Sequence, residues 1–300
     1  MYDTIIIGAG PAGLTSAIYL RRANKKVLVL ESKGYGGQIA SADKVENYPG
    51  IAQISGYELA ENLYKQAENL GAEIKFETVM SVMPDKTVKT NGGNYKAKTV
   101  IIANGAEKRK LNLKKESDFI GKGVSYCATC DGNFFKGKTV TVVGGGNSAL
   151  EDALYLSDVA NKVYVVHQFD EFNAEEKYRE DLSQKSNVSF FMESTVTAIN
   201  GENKLETVTV TDRNGTNKEL DTDGLFIAIG QEPKNQVFSN VVNLNEAGYI
   251  RCNDSVYTKT DGIFAAGDTR EKELRQLTTA VSDGSLAATA ALKCIKDGDI

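Results

Sequence analysis

The sequence contains no tryptophan, a single histidine, four prolines and four cysteines in 300 residues. Four cysteines are too few for a framework of structural disulfide bonds, which favours a reducing compartment. The net charge of −5 argues against binding to nucleic acid. No apolar run approaches the roughly 18 residues of a membrane helix, and the N-terminus lacks the layout of a signal peptide. We therefore expect a cytoplasmic protein that binds neither nucleic acid nor a membrane.

Glycine, by contrast, is plentiful, and it marks three places where an apolar strand pattern turns tightly into the segment that follows. Residues 8–13 read GAGPAG, residues 144–149 read GGGNSA, and residues 263–268 read IFAAGD. After the first two segments, apolar residues recur at helical spacing and a second apolar strand follows. The chain therefore contains two βαβ nucleotide-binding units, an internal duplication of architecture.

Further strands are predicted outside these two units. A hairpin-like segment at residues 87–97 and a buried strand at residues 99–103 precede the second unit. Short strands within residues 189–210 and 219–229 follow it. This alternation of strands and helices indicates the α/β fold class.

A chain of this length corresponds to about two domains. No flexible linker is evident, and we place the domain boundaries near residues 112 and 243. The prediction is two Rossmann-like dinucleotide-binding domains. Residues 1–112 and 243–300 form the first domain, and residues 113–242 form a second domain inserted into it.

The first glycine motif has the complete context of a dinucleotide site. Gly8 permits the tight turn, Gly10 lets the backbone approach a pyrophosphate, and Gly13 lets the helix pack closely on the strand. The N-terminus of the helix offers free N–H groups to the phosphates. Glu31 ends the next strand, where a carboxylate accepts hydrogen bonds from ribose hydroxyls.

The second glycine motif is incomplete as a binding site. Gly144, Gly146 and Ala149 match the G-x-G-x-x-A form. The sequence between Lys162 and Lys177, however, contains no Lys or Arg to pair with the 2′-phosphate of NADPH. A used dinucleotide site and an unused relic of the fold both stay open.

Cys127 and Cys130 form a Cys-Ala-Thr-Cys pair that predicts a small redox-active disulfide. The alternative, half of a zinc site, usually needs a second close pair, and Cys252 and Cys294 are far apart in sequence. We therefore predict no metal and interpret those two as buried apolar residues. Asp131 follows the pair and either donates a proton to a departing thiolate or caps a turn.

Together these residues resemble the low-molecular-weight thioredoxin reductase family over essentially the whole chain. The resemblance rests on the two glycine motifs and on the Cys pair just before the second of them. It extends to the segments GGQ at residues 36–38, ENYPG at 46–50, FAAGD at 264–268 and RQ at 275–276.

The resemblance implies an FAD-dependent enzyme that reduces thioredoxin. Cys130 would face the flavin, Cys127 would attack the protein disulfide, and Asp131 would be the proton donor. Of Phe134 and Phe135, which would lie near the thioredoxin docking surface, at least one is equally well explained by core packing. The residues expected to bind FAD are Gly8, Gly10, Pro11, Ala12, Gly13, Glu31, Gly37, Gln38, Asn47, Ala103, Gly267, Asp268, Arg275, Gln276 and Leu277.

The residues that would bind the electron donor differ from the family pattern. In NADPH-using members the corresponding segment resembles His-Arg-Arg followed by a further Arg. This chain has Gln168, Phe169 and Asn173 at the three arginine positions. Relatives without these arginines include ferredoxin-linked flavin thioredoxin reductases and small-molecule dithiol oxidases. We therefore expect reduced ferredoxin as the donor, with NADPH or NADH as the alternative.

A basic run precedes the Cys pair and is a candidate landing site for an acidic ferredoxin, although most charge runs are simply solvated faces. Its members are Lys108, Arg109, Lys110, Lys114, Lys115 and Lys122. We also expect a homodimer. Two other functions stay open: an oxidase of small dithiols that uses oxygen, and a non-enzymatic redox sensor.

Overall fold

A computed structural model describes residues 1–42, 45–252 and 255–298 of the chain. Its main helices and strands are β1 (Tyr2–Ile7), α1 (Pro11–Arg22), β2 (Val27–Glu31), α2 (Gly56–Asn69), β3 (Glu73–Phe76), β4 (Val79–Val82), β5 (Thr87–Thr90), β6 (Asn94–Ile102), β7 (Glu107–Lys108), β8 (Val124–Ser125), α3 (Ala128–Asp131), β9 (Thr139–Val143), α4 (Asn147–Val159), β10 (Lys162–Val166), α5 (Glu176–Ser183), β11 (Val188–Phe191), β12 (Ser194–Asn200), β13 (Thr207–Asp212), β14 (Asn217–Asp221), β15 (Gly224–Ile227), β16 (Gln231–Glu232), β17 (Ile263–Ala265) and α6 (Leu277–Asp297). Within these ranges, no helix is both long and apolar enough to cross a membrane.

The chain divides into two compact units. Unit 1 comprises Met1–Glu107 and Glu232–Ile300, and unit 2 comprises Lys108–Gln231. Unit 2 thus interrupts the sequence of unit 1, and the two divisions fall earlier in the chain than residues 112 and 243.

The physical reason is clearest at the second division. Phe238, Val241 and Val242 are buried in a core cluster with β1, β2 and β6, so this segment belongs with unit 1. Asn235 is 1% exposed, and its side-chain amide donates to the carbonyl oxygens of Gly248 and Thr269. Neither contact is encoded by a local pattern.

Unit 1 is built on one mixed sheet with the strand order β3-β2-β1-β6-β5-β4, and β17 pairs with the far part of β6. The β1, β2, β3 and β17 pairings are parallel, whereas β4, β5 and the first part of β6 form an antiparallel meander. The predicted hairpin at residues 87–97 is confirmed by the pairing of β5 with β6.

The first βαβ unit has the predicted core. Leu14, Ala17, Ile18 and Leu20 of α1 are all buried, as their helical spacing requires. Helix α6 packs along α1, and the approach is close: a Cβ on Gly284 would lie 2.3 Å from the carbonyl oxygen of Ala12. The C-terminal helix thus supports the helix whose N-terminus follows the first glycine motif.

Unit 2 repeats the arrangement with the parallel order β11-β10-β9-β15-β8. Of the short strands predicted after the second βαβ unit, β12, β13 and β14 form a second, antiparallel sheet, whereas β11 and β15 lie in the parallel one. Strand β8 is short, and it delivers the chain directly to Cys127.

Candidate active site

Cys127 and Cys130 are joined by a disulfide bond, with their Cα atoms 5.3 Å apart. The predicted small disulfide is therefore confirmed. The single turn of α3 begins immediately after Cys127, and its backbone N–H at Cys130 donates to the Cys127 Sγ over 3.3 Å. Both cysteines are half-buried, so the bond lies within reach of a partner.

The two remaining cysteines do not complete a metal site. Among the described residues there is no group of His, Cys, Asp and Glu side chains that could hold a metal ion. Cys252 is buried as predicted, and burial raises the pKa of its thiol to about 11. Cys294 is only half-buried, so that part of the prediction is wrong, because its side chain lies at the edge of the α6 core face.

Ser125 organises the residues around the disulfide, a role that the sequence did not suggest. Its hydroxyl donates to the Asp131 Oδ2 over 2.6 Å and accepts from the backbone N–H of Cys127 over 3.0 Å. Ser125 is 4% exposed, so this link is shielded from water. The Asp131 carboxylate is thereby tied to the backbone of the first redox cysteine.

The first glycine motif is as tight as its residue types predict. Gly8 has a φ of 105°, and a Cβ there would lie 2.4 Å from the carbonyl oxygen of Ala103. A Cβ on Gly13 would lie 2.0 Å from the carbonyl oxygen of Gly8. Above Gly10 the space is open, since the nearest atom to a Cβ there is the Gly37 Cα at 4.0 Å. A ligand backbone can therefore approach closely at Gly10.

Glu31 turns its carboxylate toward this loop. Its Oε2 accepts from the backbone N–H of Ala9 over 2.8 Å, and its Oε1 accepts from the backbone N–H of Lys33 over 2.9 Å. Pro11 and Ala12 open α1, where no side chain caps the N-terminus. The anion-binding end of this helix is therefore available to a phosphate.

Residues distant in sequence meet at the same unit. Asn47 Nδ2 donates to Gln276 Oε1 over 3.2 Å, next to the start of α6 at Leu277. Gln38 donates to the carbonyl oxygen of Ala106, and a Cβ on Gly267 would lie 2.9 Å from the Cβ of Ala12. The loop after β17 thus lies against the first glycine motif.

Two buried polar atoms in this unit fit a polar ligand. Asp268 Oδ1 and Arg275 Nε have no hydrogen-bond partner among the described residues. The Lys272 Nζ lies 3.7 Å from Asp268 Oδ1, and burial raises the pKa of the Asp268 carboxyl. Unpaired buried polar atoms are costly. Together with the open cradle at Gly10, they fit a bound FAD.

Residues 2–284 match the pyridine nucleotide-disulphide oxidoreductase family. The chain is 45% identical to the thioredoxin reductase of Bacillus subtilis, over 99% of this chain and 96% of that protein. The crystal structure of Lactococcus lactis thioredoxin reductase has a TM-score of 0.86 and 38% identity, covering 99% of this chain and 100% of that one. The chain belongs to the thioredoxin reductase family. Its predicted α/β fold, its cofactor FAD and its class as a thioredoxin-disulfide reductase are thereby confirmed.

A ferredoxin-flavin thioredoxin reductase from Clostridium acetobutylicum is a more distant structural relative. Its TM-score is 0.52 and its identity is 33%, covering 99% of this chain and 98% of that one. The family is therefore established by ordinary thioredoxin reductases, and the ferredoxin-linked branch is represented by this weaker similarity.

In this chain the second glycine motif lies beside a segment, residues 167–175, that contains acids but no Lys or Arg. The ring of His167 packs on Gly145, where a Cβ would lie 2.3 Å from the ring, and its Nε2 contacts the Glu171 carbonyl oxygen over 3.0 Å. The ring also stacks on Phe172, and burial lowers the pKa of His167. His167 is therefore a buried residue directly after the end of β10. Asn147 at the start of α4 donates to Glu175 over 2.9 Å.

The basic run before the Cys pair differs from the sequence-based expectation at one residue, Lys115. Lys108, Arg109, Lys110, Lys114 and Lys122 are exposed and make no ion pair among the described residues. The amine of Lys115, however, donates to the carbonyl oxygen of Gly201 over 2.7 Å, so Lys115 is not part of a free basic face.

The two phenylalanines after the Cys pair have different environments. Phe134 is 73% exposed, whereas Phe135 is 9% exposed and packs edge-on against Phe226. Core packing therefore accounts for Phe135, and Phe134 is free to contact a partner.

Proposed function

We propose that this enzyme reduces the disulfide of a thioredoxin-like protein and takes its electrons from reduced ferredoxin rather than from NADPH. The disulfide at Cys127 and Cys130 supports the first part, since it lies at the surface in a single helical turn. When bound, FAD supplies an electron carrier between the donor and this disulfide.

The residues of unit 1 are assigned to FAD binding. The glycine motif and the uncapped start of α1 hold the pyrophosphate, and Glu31 accepts from the adenosine ribose. Asp268 and Arg275 each offer a buried polar atom that has no hydrogen-bond partner in the described part of the chain. The other proposed contacts are Gly37, Gln38, Asn47, Ala103, Gly267, Gln276 and Leu277.

The residues of unit 2 are assigned to disulfide exchange. Cys130 takes the side toward the flavin, and Cys127 attacks the disulfide of the partner. Asp131, held by Ser125, is the proposed proton donor to the thiolate that departs. Exposed Phe134 is assigned to the docking surface for the thioredoxin-like partner.

The proposal on the donor rests on the described residues 167–175, which follow β10 and contain no Lys or Arg. The 2′-phosphate of NADPH bears close to two negative charges near neutral pH, and bidentate arginine is the usual partner for such a group. Gln168, Phe169 and Asn173 are exposed and uncharged. Asp170 and Glu171 between them are exposed acids, which would repel the phosphate.

The exposed cations before the Cys pair support a protein donor. Lys108, Arg109, Lys110 and Lys114 form a basic face that fits an acidic ferredoxin. The similarity to a ferredoxin-flavin thioredoxin reductase from Clostridium acetobutylicum agrees with this assignment. The cytoplasmic location and the homodimer stay predictions.

Anaerobic bleaching of the flavin tests the donor directly. NADPH, NADH and reduced ferredoxin are added separately to the oxidised enzyme, and the flavin absorbance is followed in time. We expect ferredoxin to bleach the flavin rapidly and both nicotinamide nucleotides to do so slowly or not at all. Rapid bleaching by micromolar NADPH would overturn the ferredoxin proposal and leave an ordinary NADPH-linked thioredoxin reductase.

Substitution of the cysteines tests the exchange step. Cys127→Ser and Cys130→Ser should each abolish reduction of thioredoxin while FAD stays bound. Cys294→Ser is the matched control, because this residue lies in unit 1 and outside the redox pair. Substantial activity in Cys130→Ser would contradict the proposed relay.

A further inference from the structure

Two hydrogen-bond donors converge on the sulfur atom of Cys127. The backbone N–H of Cys130 lies 3.3 Å from the Sγ, and the hydroxyl oxygen of Thr129 lies 3.5 Å from it. Among the described residues, these are the two groups that hydrogen-bond this sulfur. Both come from the turn of α3 that Cys127 precedes, so the geometry is set by the Cys-Ala-Thr-Cys spacing itself.

The other candidate acid–base groups of unit 2, Asp131 and His167, are engaged elsewhere. The Asp131 carboxylate accepts from Ser125 over 2.6 Å. His167, the one histidine of the sequence, is buried against Gly145 and Phe172. Neither residue hydrogen-bonds the Cys127 sulfur in this structure. The side chain that does so is Thr129.

We propose that Thr129 is a further catalytic residue, whose hydroxyl donates a hydrogen bond to the Cys127 thiolate and stabilises it for attack on the partner disulfide. The inference rests on the proposed function, in which Cys127 is the attacking sulfur. A hydrogen bond to the charged form of a group favours that form. The thiolate is the nucleophile, so its population at neutral pH controls the rate of exchange.

The exchange transfers two electrons from the Cys127–Cys130 pair to the partner disulfide. Two electrons from the donor, which the established reductase activity supplies, break the Cys127–Cys130 bond and leave a thiolate on each of the two sulfurs. The Cys127 thiolate attacks one sulfur of the partner, the partner disulfide breaks, and its leaving thiolate takes up a proton. Cys130 then attacks Cys127 Sγ, which restores the internal disulfide and releases the second partner thiolate. Thr129 acts in the first attack, by holding charge on Cys127.

The size of the effect is limited by solvent. Thr129 is exposed, so water competes for the sulfur once the hydroxyl is removed. Hydrogen bonds to charged groups are nevertheless stronger than neutral ones. We expect loss of the hydroxyl to raise the pH midpoint of thiolate formation at Cys127 by about one unit.

Alkylation of Cys127 in the Cys130→Ser protein measures this midpoint. The rate of labelling by iodoacetamide is followed against pH by peptide mass spectrometry, which separates Cys127 from Cys252 and Cys294. Thr129→Val should shift the midpoint upward by about one unit and slow labelling at pH 7 several-fold. Thr129→Ser, which keeps the hydroxyl, should retain the midpoint of the parent.

Thr195→Val is the matched control, since Thr195 is an exposed strand residue of the same unit. All variants are first compared for bound FAD and for thermal unfolding, so that a folding defect is recognised. An unchanged midpoint in Thr129→Val would overturn the inference and leave the proposed function intact. Full thioredoxin reduction by Cys127→Ser would instead overturn the proposed function.

Discussion

Gln168, Phe169 and Asn173 occupy the three positions at which the family resemblance implies arginine in NADPH-using members. If charge at these positions controls the donor, then the combined Gln168→Arg, Phe169→Arg and Asn173→Arg protein should gain reduction of its flavin by NADPH. Each charged hydrogen bond to a phosphate is worth about 1.5 to 3 kcal/mol, so the rate at low NADPH should rise by at least about tenfold. Stopped-flow absorbance of the flavin measures it.

Two controls accompany this gain of function. NADH lacks the 2′-phosphate, so its rate should not change in the triple variant. A second protein with Asn161→Arg, Asn203→Arg and Asn214→Arg adds equal charge at exposed positions of the same unit and should behave as the parent. If NADPH reduces the flavin of the triple variant no faster than that of the parent, the missing arginines do not by themselves determine the choice of donor.

At the scale of elements, the loop after β17 is held to α6 by a buried group of charges. Asp283 accepts from the backbone N–H of Gly267 over 2.9 Å, from Arg270 over 2.7 Å and from Lys272 over 3.0 Å. The side chains of Asp283 and Arg270 are 10% and 7% exposed. This cluster supports the loop that carries Asp268.

Asp283→Asn should therefore destabilise unit 1 and weaken FAD binding. Removing one partner of a buried ion pair leaves unpaired charge and costs about 3 to 5 kcal/mol. Denaturant unfolding and FAD titration of the apoprotein measure the two effects. Asp158→Asn, which breaks an exposed pair with Lys185, should cost less than about 1 kcal/mol. Equal losses in the two variants would contradict the role of the cluster.

Helix α4 carries a second unusual acid, Asp152. Burial raises the pKa of its carboxyl to about 6, with Lys108 opposing the shift and Glu151 adding to it. The folded protein thus holds this proton more tightly than the unfolded chain, whose value is near 3.8. The contribution of Asp152 to stability accordingly falls as pH rises from about 4 to about 6 and is then constant.

Asp152→Asn removes this unfavourable ionisation. A shift of about two pKa units is worth about 3 kcal/mol, so we expect the free energy of unfolding to increase by about that amount at pH 7 and to change little near pH 4. Urea unfolding at the two pH values checks the sign. A loss of stability at pH 7 would show that the ionised carboxylate has a stabilising role.

At the scale of the whole molecule, the exposed cations of unit 2 should control encounter with an acidic protein donor. Turnover with ferredoxin should fall as the salt concentration rises, because the Debye screening length shortens from about 30 Å at 0.01 M to about 10 Å at 0.1 M. Lys108→Glu, Arg109→Glu and Lys110→Glu together should slow turnover at low salt more strongly than at high salt.

The matched control reverses three lysines elsewhere: Lys89→Glu, Lys204→Glu and Lys293→Glu. These residues are also exposed, so net charge changes equally while the basic face is retained. Equal slowing in the two proteins would assign the salt effect to net charge and remove the case for this face.

Local sequence was sufficient for the two βαβ units and the redox disulfide. Glycine is required where a Cβ would strike backbone, as at Gly8 and Gly13, and the contacts that forbid the side chain lie within a few residues or on the adjacent strand. The Cys127–Cys130 spacing likewise sets its own geometry within one turn. Such features are readable because short-range sterics impose them.

The supports of the candidate site come instead from long-range packing. The Ser125–Asp131 bond depends on the path of β8 into α3, and the Asp283 group depends on how α6 returns beside α1. Asn235, which belongs to unit 1, is held by residues far along the chain. Polar side chains at such positions carry no periodic signal, because their partners are chosen by the folded arrangement of distant segments. The local sequence therefore determined the glycine turns, the apolar periodicity and the redox pair. Only the tertiary packing of distant segments decided which partners orient and bury the charged side chains.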